Sequence, residues 1–346
     1  MKARSLVIVG GLASLGLIAA YATWQRPKES QKTETALVLT ASKQSLEKVH
    51  FDDGARFVDV VKTTDSEHSL WVTVGFLEGK RPVFDAGVPS AGGGDAGVVV
   101  RAPVPPPEPP PNRTMPASER ADTLFGRFMP FEATRALGLL SREKLEELGL
   151  TGSERHLEVT VAGQARRFLV SKAVHGLIGS YVQDERTQEV YLVQSSMFSE
   201  LDPASLLLVD RRLHTFKPTD FDRFSVSFEG KTVEYVEEST GAPPVVKVAR
   251  ASQPDKPDEM AKNWHDKIWS RLVVTEVLGK GELPKAGEPK VGLRLEYLGR
   301  GNRKGWLELG QDPAKGMWAR SENTASWVGV HQGGEEMMLE AKRLVE

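Results

Sequence analysis

The chain contains no cysteine. That absence removes disulfides, zinc–thiolate sites, iron–sulfur clusters and a thiol nucleophile together. It does not fix the compartment, because a well-cored extracytoplasmic domain does without disulfides. Charge of one sign is missing too: 45 Lys and Arg stand against 47 Asp and Glu, a formal charge of −2, so the chain carries no electrostatic footprint for nucleic acid. The seven histidines, 50, 68, 156, 175, 214, 265 and 331, form neither H-E-x-x-H nor H-x-H, so metal-ligand spacing is absent. Neither a G-x-S-x-G elbow nor a P-loop lysine occurs. "GRGNRKG" at 299–305 joins two expected strands, whereas a dinucleotide fingerprint must open a helix, so it reads as a basic hairpin loop. These absences set the expectation of no catalytic residue, no metal and no cofactor.

What is present begins at Ser5–Trp24, "SLVIVGGLASLGLIAAYATW", an uncharged run. Its length as a helix, about 30 Å, matches the hydrocarbon thickness of a bilayer. Lys2 and Arg4 precede it, so the positive-inside rule places 1–4 in the cytoplasm, 5–24 across the membrane and the bulk outside. The alternative is a signal peptide cleaved after Ala22, at the A-x-A pattern Ala20-Tyr21-Ala22. Without a cysteine there is no lipid anchor. Residues 25–36 read as a polar linker.

A phrase is written twice. "DTLFGRFMP" starts at Asp122 and "DKIWSRLVV" at Asp266. Downstream, "LEVTVAG" at 157–163 matches "LRLEYLG" at 293–299, "FLVSK" at 168 matches "WLELG" at 306, and "YVQDERTQEVYLV" at 181–193 matches "WARSENTASWVGV" at 318–330. Upstream, "LEKVHFDDGARFVDV" at 46–60 resembles "FDRFSVSFEGKTVEY" at 221–235, each an alternating hairpin about an Asp-Gly or Glu-Gly turn. The first copy exceeds the second between its hairpin and its helix by about the length of the Gly/Pro-rich stretch 85–114. That stretch therefore reads as a disordered insert with a polyproline spacer at Pro103–Pro111. The expected class is α+β: two tandem modules of mainly antiparallel sheet with packed helices, 37–210 and 215–346, meeting near Arg211–Pro218.

Each copy reads hairpin, helix, strands, short helix. The first helix is expected over 118–129, with Ser118 as N-cap, Pro130 as terminator and Ala121, Leu124, Phe125 and Phe128 as its apolar stripe. His265, Ile268, Trp269 and Leu272 are the expected counterparts. A further helix at 142–148 belongs to the first copy alone. Repetition separates packing from chemistry, since a catalytic group needs to exist only once. Arg127 and Arg271 recur as surface or salt-bridge residues or as contacts for an anionic ligand, and Asp122 and Asp266 recur with the character of an early helical turn. Asp220 and Asp222 form a D-x-D pair replaced in the first copy by Ser45 and Glu47, which favours turn-forming over cation binding. Trp306, Trp318 and Trp327 are either core of an aromatic-rich sheet or a platform for sugar or lipid.

The anchor, the hairpin, "LGL" at Leu148–Leu150, "LEVTVAG", "RRFLVSK", "GSYVQDERTQEVYLVQSSMFSELD" and "PASLLLVDRRLHTF" together resemble the domain-of-unknown-function 4340 family, over roughly 40–345 and best over 137–228. The long Gly/Pro insert departs from the family pattern. The resemblance implies no catalytic residues. It implies an auxiliary, extracytoplasmic component of gliding-type ABC transporters in a bacterial inner membrane. The expected function is a non-enzymatic, single-pass accessory or scaffold with its bulk in the periplasm and a membrane protein complex as partner. The alternatives are a cell-wall glycan or lipid binding module and a cryptic hydrolase.

Overall fold

The computed structural model describes residues 35–40, 42–64, 68–80, 111–172, 179–240, 245–331 and 333–346. The expected anchor at 5–24 and almost all of the insert lie outside them. Among the described residues no helix is long and apolar enough to cross a membrane.

The first sheet has nine strands: β2 (Leu46–Asp52), β3 (Arg56–Lys62), β4 (Leu70–Phe76), β5 (Arg113–Pro116), β7 (Arg135–Gly138), β8 (Arg155–Val161), β9 (Gln164–Val170), β10 (Gly179–Asp184) and β11 (Val190–Gln194). A separate two-stranded ribbon pairs β1 (Ala36–Leu39) with β6 (Phe131–Ala133). The other large sheet has eight: β12 (Arg223–Phe228), β13 (Lys231–Thr240), β14 (Val245–Arg250), β15 (Val274–Val277), β16 (Lys290–Gly299), β17 (Asn302–Gln311), β18 (Met317–Ser321) and β19 (Val328–Val330). Their orders are β5-β4-β3-β2-β8-β9-β10-β11-β7 and β14-β13-β12-β16-β17-β18-β19-β15. Leaving out β5, the two sequences of strands coincide at all eight positions, and the adjacent pairs are antiparallel. The duplicated phrases fall on equivalent strands: 157–163 on β8 and 293–299 on β16, the upstream hairpins on β2–β3 and β12–β13.

Local chemistry explains the pattern. Leu157 and Val159 of β8, and Leu293, Leu295 and Tyr297 of β16, alternate inward and are fully buried. The turns β8–β9, β12–β13 and β16–β17 place Ala162-Gly163, Glu229-Gly230 and Arg300-Gly301 at positive φ, the two-residue geometry whose twist matches the flanking strands. A carboxylate seals two of them. Glu47 accepts from the Gly163 amide at 3.1 Å and Asp222 from the Arg300 amide at 3.1 Å. Asp220 accepts from the Lys217 amide at 2.8 Å. The D-x-D pair is thus a pair of backbone caps.

Among the described residues six α-helices accompany the sheets: α1 (Glu119–Gly126), α2 (Arg142–Glu147), α3 (Ser196–Ser199), α4 (Ala204–Leu207), α5 (Glu259–Arg271) and α6 (Gly333–Val345). Ser118 caps α1 and Asp258 caps α5, each accepting from the amide three residues on. Matching those caps pairs Ala121, Leu124 and Phe125 with Ala261, Trp264 and His265, all buried, one turn earlier than the repeated phrase suggests. Because α5 begins at Glu259, Asp266 sits in its second half, ion-paired to Lys262 at 2.8 Å, and is no early-turn acid. Three other expectations change. α1 stops at Gly126, ahead of Pro130. The closing helix α6 is 13 residues long, not short. The insert ends before Arg113, whose segment is the edge strand β5. As expected, α2 has no counterpart, since 278–289 is not helical.

Trp264 joins α5 to α6: it is 2% exposed and donates to the Met337 carbonyl at 2.8 Å. Trp264→Ala leaves a large cavity, so it is expected to cost about 3–5 kcal/mol. Partly exposed Trp306→Ala should cost under about 1 kcal/mol. Denaturant midpoints of the two variants check the contrast.

Candidate functional site

The two large sheets meet through their edges. Lys280 donates its amide to the Thr114 carbonyl of β5 at 2.8 Å. In return, side chains from the first half close the open edge of β15: Arg113 lies 3.5 Å from the Val277 carbonyl and Arg211 3.4 Å from that of Thr275. Arg113 also pairs with Glu276 at 3.0 Å and Glu282 at 2.9 Å, and the Lys280 ammonium sits 4.6 Å over the Trp71 ring. The segment read as a boundary, Arg211–Pro218, is held rather than free. Asn323 donates to the Arg212 carbonyl at 2.8 Å and to Asp210 at 3.2 Å, and His214 meets Glu322 at 3.0 Å.

At this junction lies a cleft of 410 Å³. Phe51, Val58, Val74, Met115 and Leu201 form its apolar floor. Its rim carries Asp53 with Arg56 at 3.2 Å, Asp202 with Arg155 at 3.4 Å, and Arg113 with its two glutamates. Arg211 differs. Its guanidinium meets the carbonyls of Thr275 and Ser205, at 3.4 and 3.3 Å, and no carboxylate among the described residues. The volume is that of small-molecule sites, roughly 300–1,000 Å³, which are concave, mainly apolar and armed with few polar groups. Among the described residues no histidine lines the cleft.

Two polar clusters contain four of the seven histidines. On β2, β3 and β8 the register sets Asp52 opposite His156 and His50 opposite both Asp59 and Glu158. His50 lies 2.7 Å from Asp59 and 3.4 Å from Asp52. Those two carboxylates raise the His50 pKa to about 9 against the opposing effect of burial. At neutral pH it is a cation in an ion-pair grid and no general base.

The other cluster is interior to the second sheet. His265 stacks on Phe224 at 4.2 Å, accepts from the Trp269 indole at 3.2 Å, and lies 3.8 Å from Glu237. Burial lowers His265 to about 4 and, with Asp266 adding to it, raises Glu237 to about 7. The His214 Nε2 and the Tyr297 hydroxyl are buried there without partners. The side chains of His214 and His265 are 6% and 3% exposed, so a substrate reaches them only if the sheet opens.

The other sequence-derived candidates disperse. Arg127 and Arg120 both pair with Glu200 at 3.1 Å, whereas Arg271 is exposed at the end of α5. Trp318 and Trp327 are buried in a small satellite cluster with Leu278 and form no exposed row. Trp318 donates to Asp312 at 2.9 Å and Arg320 covers the Trp327 ring at 4.6 Å. Trp306 is partly buried and shares with Trp327 and Arg320 a second cleft of 320 Å³. The sequence marks no residue of the junction cleft as a binding candidate; Arg211 reads there only as the start of the boundary and Pro111 as the end of the spacer. The cleft's signal lies in the contacts that join β5 to β15 across more than 150 residues.

A family model described as "Domain of unknown function (DUF4340)" matches residues 135–287. Over that span the chain is similar to this family. The match begins with β7 and ends just past β15, so it covers part of each large sheet. No curated protein and no solved structure matches the chain.

The Glu237 environment gives a signed pH dependence. Its folded pKa lies above the ordinary carboxyl value, so between about 4.5 and 7 the folded chain keeps a proton that the unfolded chain releases, and stability falls as pH rises through that window. Glu237→Gln removes this loss. Relative to the parent it is expected to gain on the order of 1 kcal/mol at pH 8, allowing for solvent screening, and nothing at pH 4.5. Thermal melts at the two pH values decide; an equal effect at both contradicts the assignment.

Proposed function

We propose that the protein is a non-enzymatic accessory or scaffold of an ABC-transporter-like complex, anchored by residues 5–24 in a bacterial inner membrane with its bulk in the periplasm. The observation that carries this reading is the joining of an uncharged, membrane-length run to a body whose two sheets are bolted edge to edge. We read those sheets as tandem modules, 37–210 and 215–346, on the strength of their identical strand order. His50 is fixed in ion pairs and the side chains of Glu237 and His265 are buried, which suits a body that works through its surface. The cleft holding Trp306, Trp327 and Arg320 is what favours the second reading, a glycan or lipid binding module.

Confinement beside a partner raises effective concentration, and a freely diffusing copy loses that advantage. Replacing residues 1–24 with a cleavable signal peptide is therefore expected to abolish complementation of a deletion strain at matched protein level. His50→Gln and Asp220→Asn should complement fully. A reporter that works only in the periplasm should be active when fused after Glu346. A released domain that complements as well as the parent would sink the scaffold reading.

A further inference from the structure

One guanidinium of the junction cleft, that of Arg211, has no carboxylate partner among the described residues, although acids and bases around the cleft are equal in number. Arg56 is matched by Asp53, Arg113 by Glu276 and Glu282, and Asp202 by Arg155. Arg211 is left with two long contacts to backbone carbonyls. A guanidinium held by neutral acceptors near the limit of hydrogen-bond length keeps most of its capacity for a bidentate anion. Beneath it the floor is apolar: Val58 and Met115 are each 3% exposed and Phe51 2%. A ligand that satisfies both surfaces carries one negative charge at one end and hydrocarbon behind it.

An extended peptide fits less well. Strand addition needs free backbone groups along an edge, and those bordering the cleft are already engaged. The β5 carbonyl of Thr114 accepts from Lys280, and the β15 carbonyls of Thr275 and Val277 face Arg211 and Arg113. A hydrocarbon chain needs no such partners; it gains from leaving water alone.

We propose that this cleft binds an acyl chain ending in a single anionic group, a carboxylate or a phosphate, with Arg211 holding the anion. The assignment is independent of the scaffold reading, since a binding pocket at the junction neither requires nor forbids a membrane complex. The head group has two possible sources, a free fatty acid or a lysophospholipid-like phosphate, and the ligand series separates them.

The test is calorimetric titration of the full chain with decanoate, decyl phosphate, decanol, inorganic phosphate and acetylated trileucine. Decanoate or decyl phosphate is expected to bind, the tighter of the two naming the head group. Decanol should bind at least tenfold more weakly, and inorganic phosphate should give no heat. Arg211→Gln should weaken the anionic ligand at least tenfold, and Arg300→Gln, in the distant hairpin loop, should leave it unchanged. Ser205 is exposed on the cleft wall, so Ser205→Trp should block the space without removing charge and abolish binding. It keeps the test decisive should the loss of Arg211 loosen the junction. The proposal is overturned if neither anionic ligand binds, if decanol binds equally, if trileucine binds more tightly than both, or if Ser205→Trp binds like the parent.

Discussion

A sheet that does not close on itself has two edges, and each edge is a row of backbone groups in want of partners. This constraint governs how the two halves of the chain sit together. The β5 edge receives an amide from Lys280, and the β15 edge receives guanidinium groups from Arg113 and Arg211. The capping is reciprocal, each half closing an edge of the other. The strap between them, to which Arg211 belongs, is pinned by Asn323 at the Arg212 carbonyl and at Asp210 and helps to fix the same arrangement. The cleft is a by-product of this geometry. Two edges that approach without forming a ladder leave space between them, and the side chains that span it set its polarity.

The same residue type serves opposite ends in the two halves. His50 lies on a sheet face among carboxylates that hold its proton, and its raised pKa reflects that company. His265 lies under an aromatic layer where burial strips the proton away. Neither value is suited to proton transfer at neutral pH, and in both cases neighbours and burial set it. Glu237 is the exception in value, near neutrality, but it is shut in beside His265 and Tyr297 and faces interior rather than solvent.

Much of the architecture was legible because it is local or periodic. Alternation marked β8 and β16, the Glu-Gly turn marked β12–β13, and Ser118 marked the start of α1, each a signal contained in a few adjacent residues. The doubling of phrases located equivalent strands before any pairing was known. What stayed hidden depends on distance along the chain. Asp258 was not seen as a cap because the repeated phrase begins a turn later, and Trp264 escaped notice with it. Strand β5 was folded into the insert because four residues beside a proline run carry no alternation of their own. The cleft needs β5, α4 and β15 at once, and nothing in any one of them announces the other two. Composition likewise left open whether Trp318 and Trp327 lie inside or outside; the loop at 278–289 decides it by covering them.

The span matched by the family model has a further meaning in terms of chain topology. It runs from β7 to just beyond β15. Within it, β14, β13 and β12 stand for the first three shared sheet positions and β8, β9, β10, β11 and β7 for the other five. Every position is represented, although the strands come from two different sheets. In the full chain β8 takes β2 as its neighbour and β12 takes β16. A chain limited to the matched span has neither, and β8 and β12 are the two strands left needing each other. In strand order the matched span is therefore a circular permutation of one sheet, begun at β7 rather than at the start of either half. Two sheets threaded in succession contain that permuted unit across their seam.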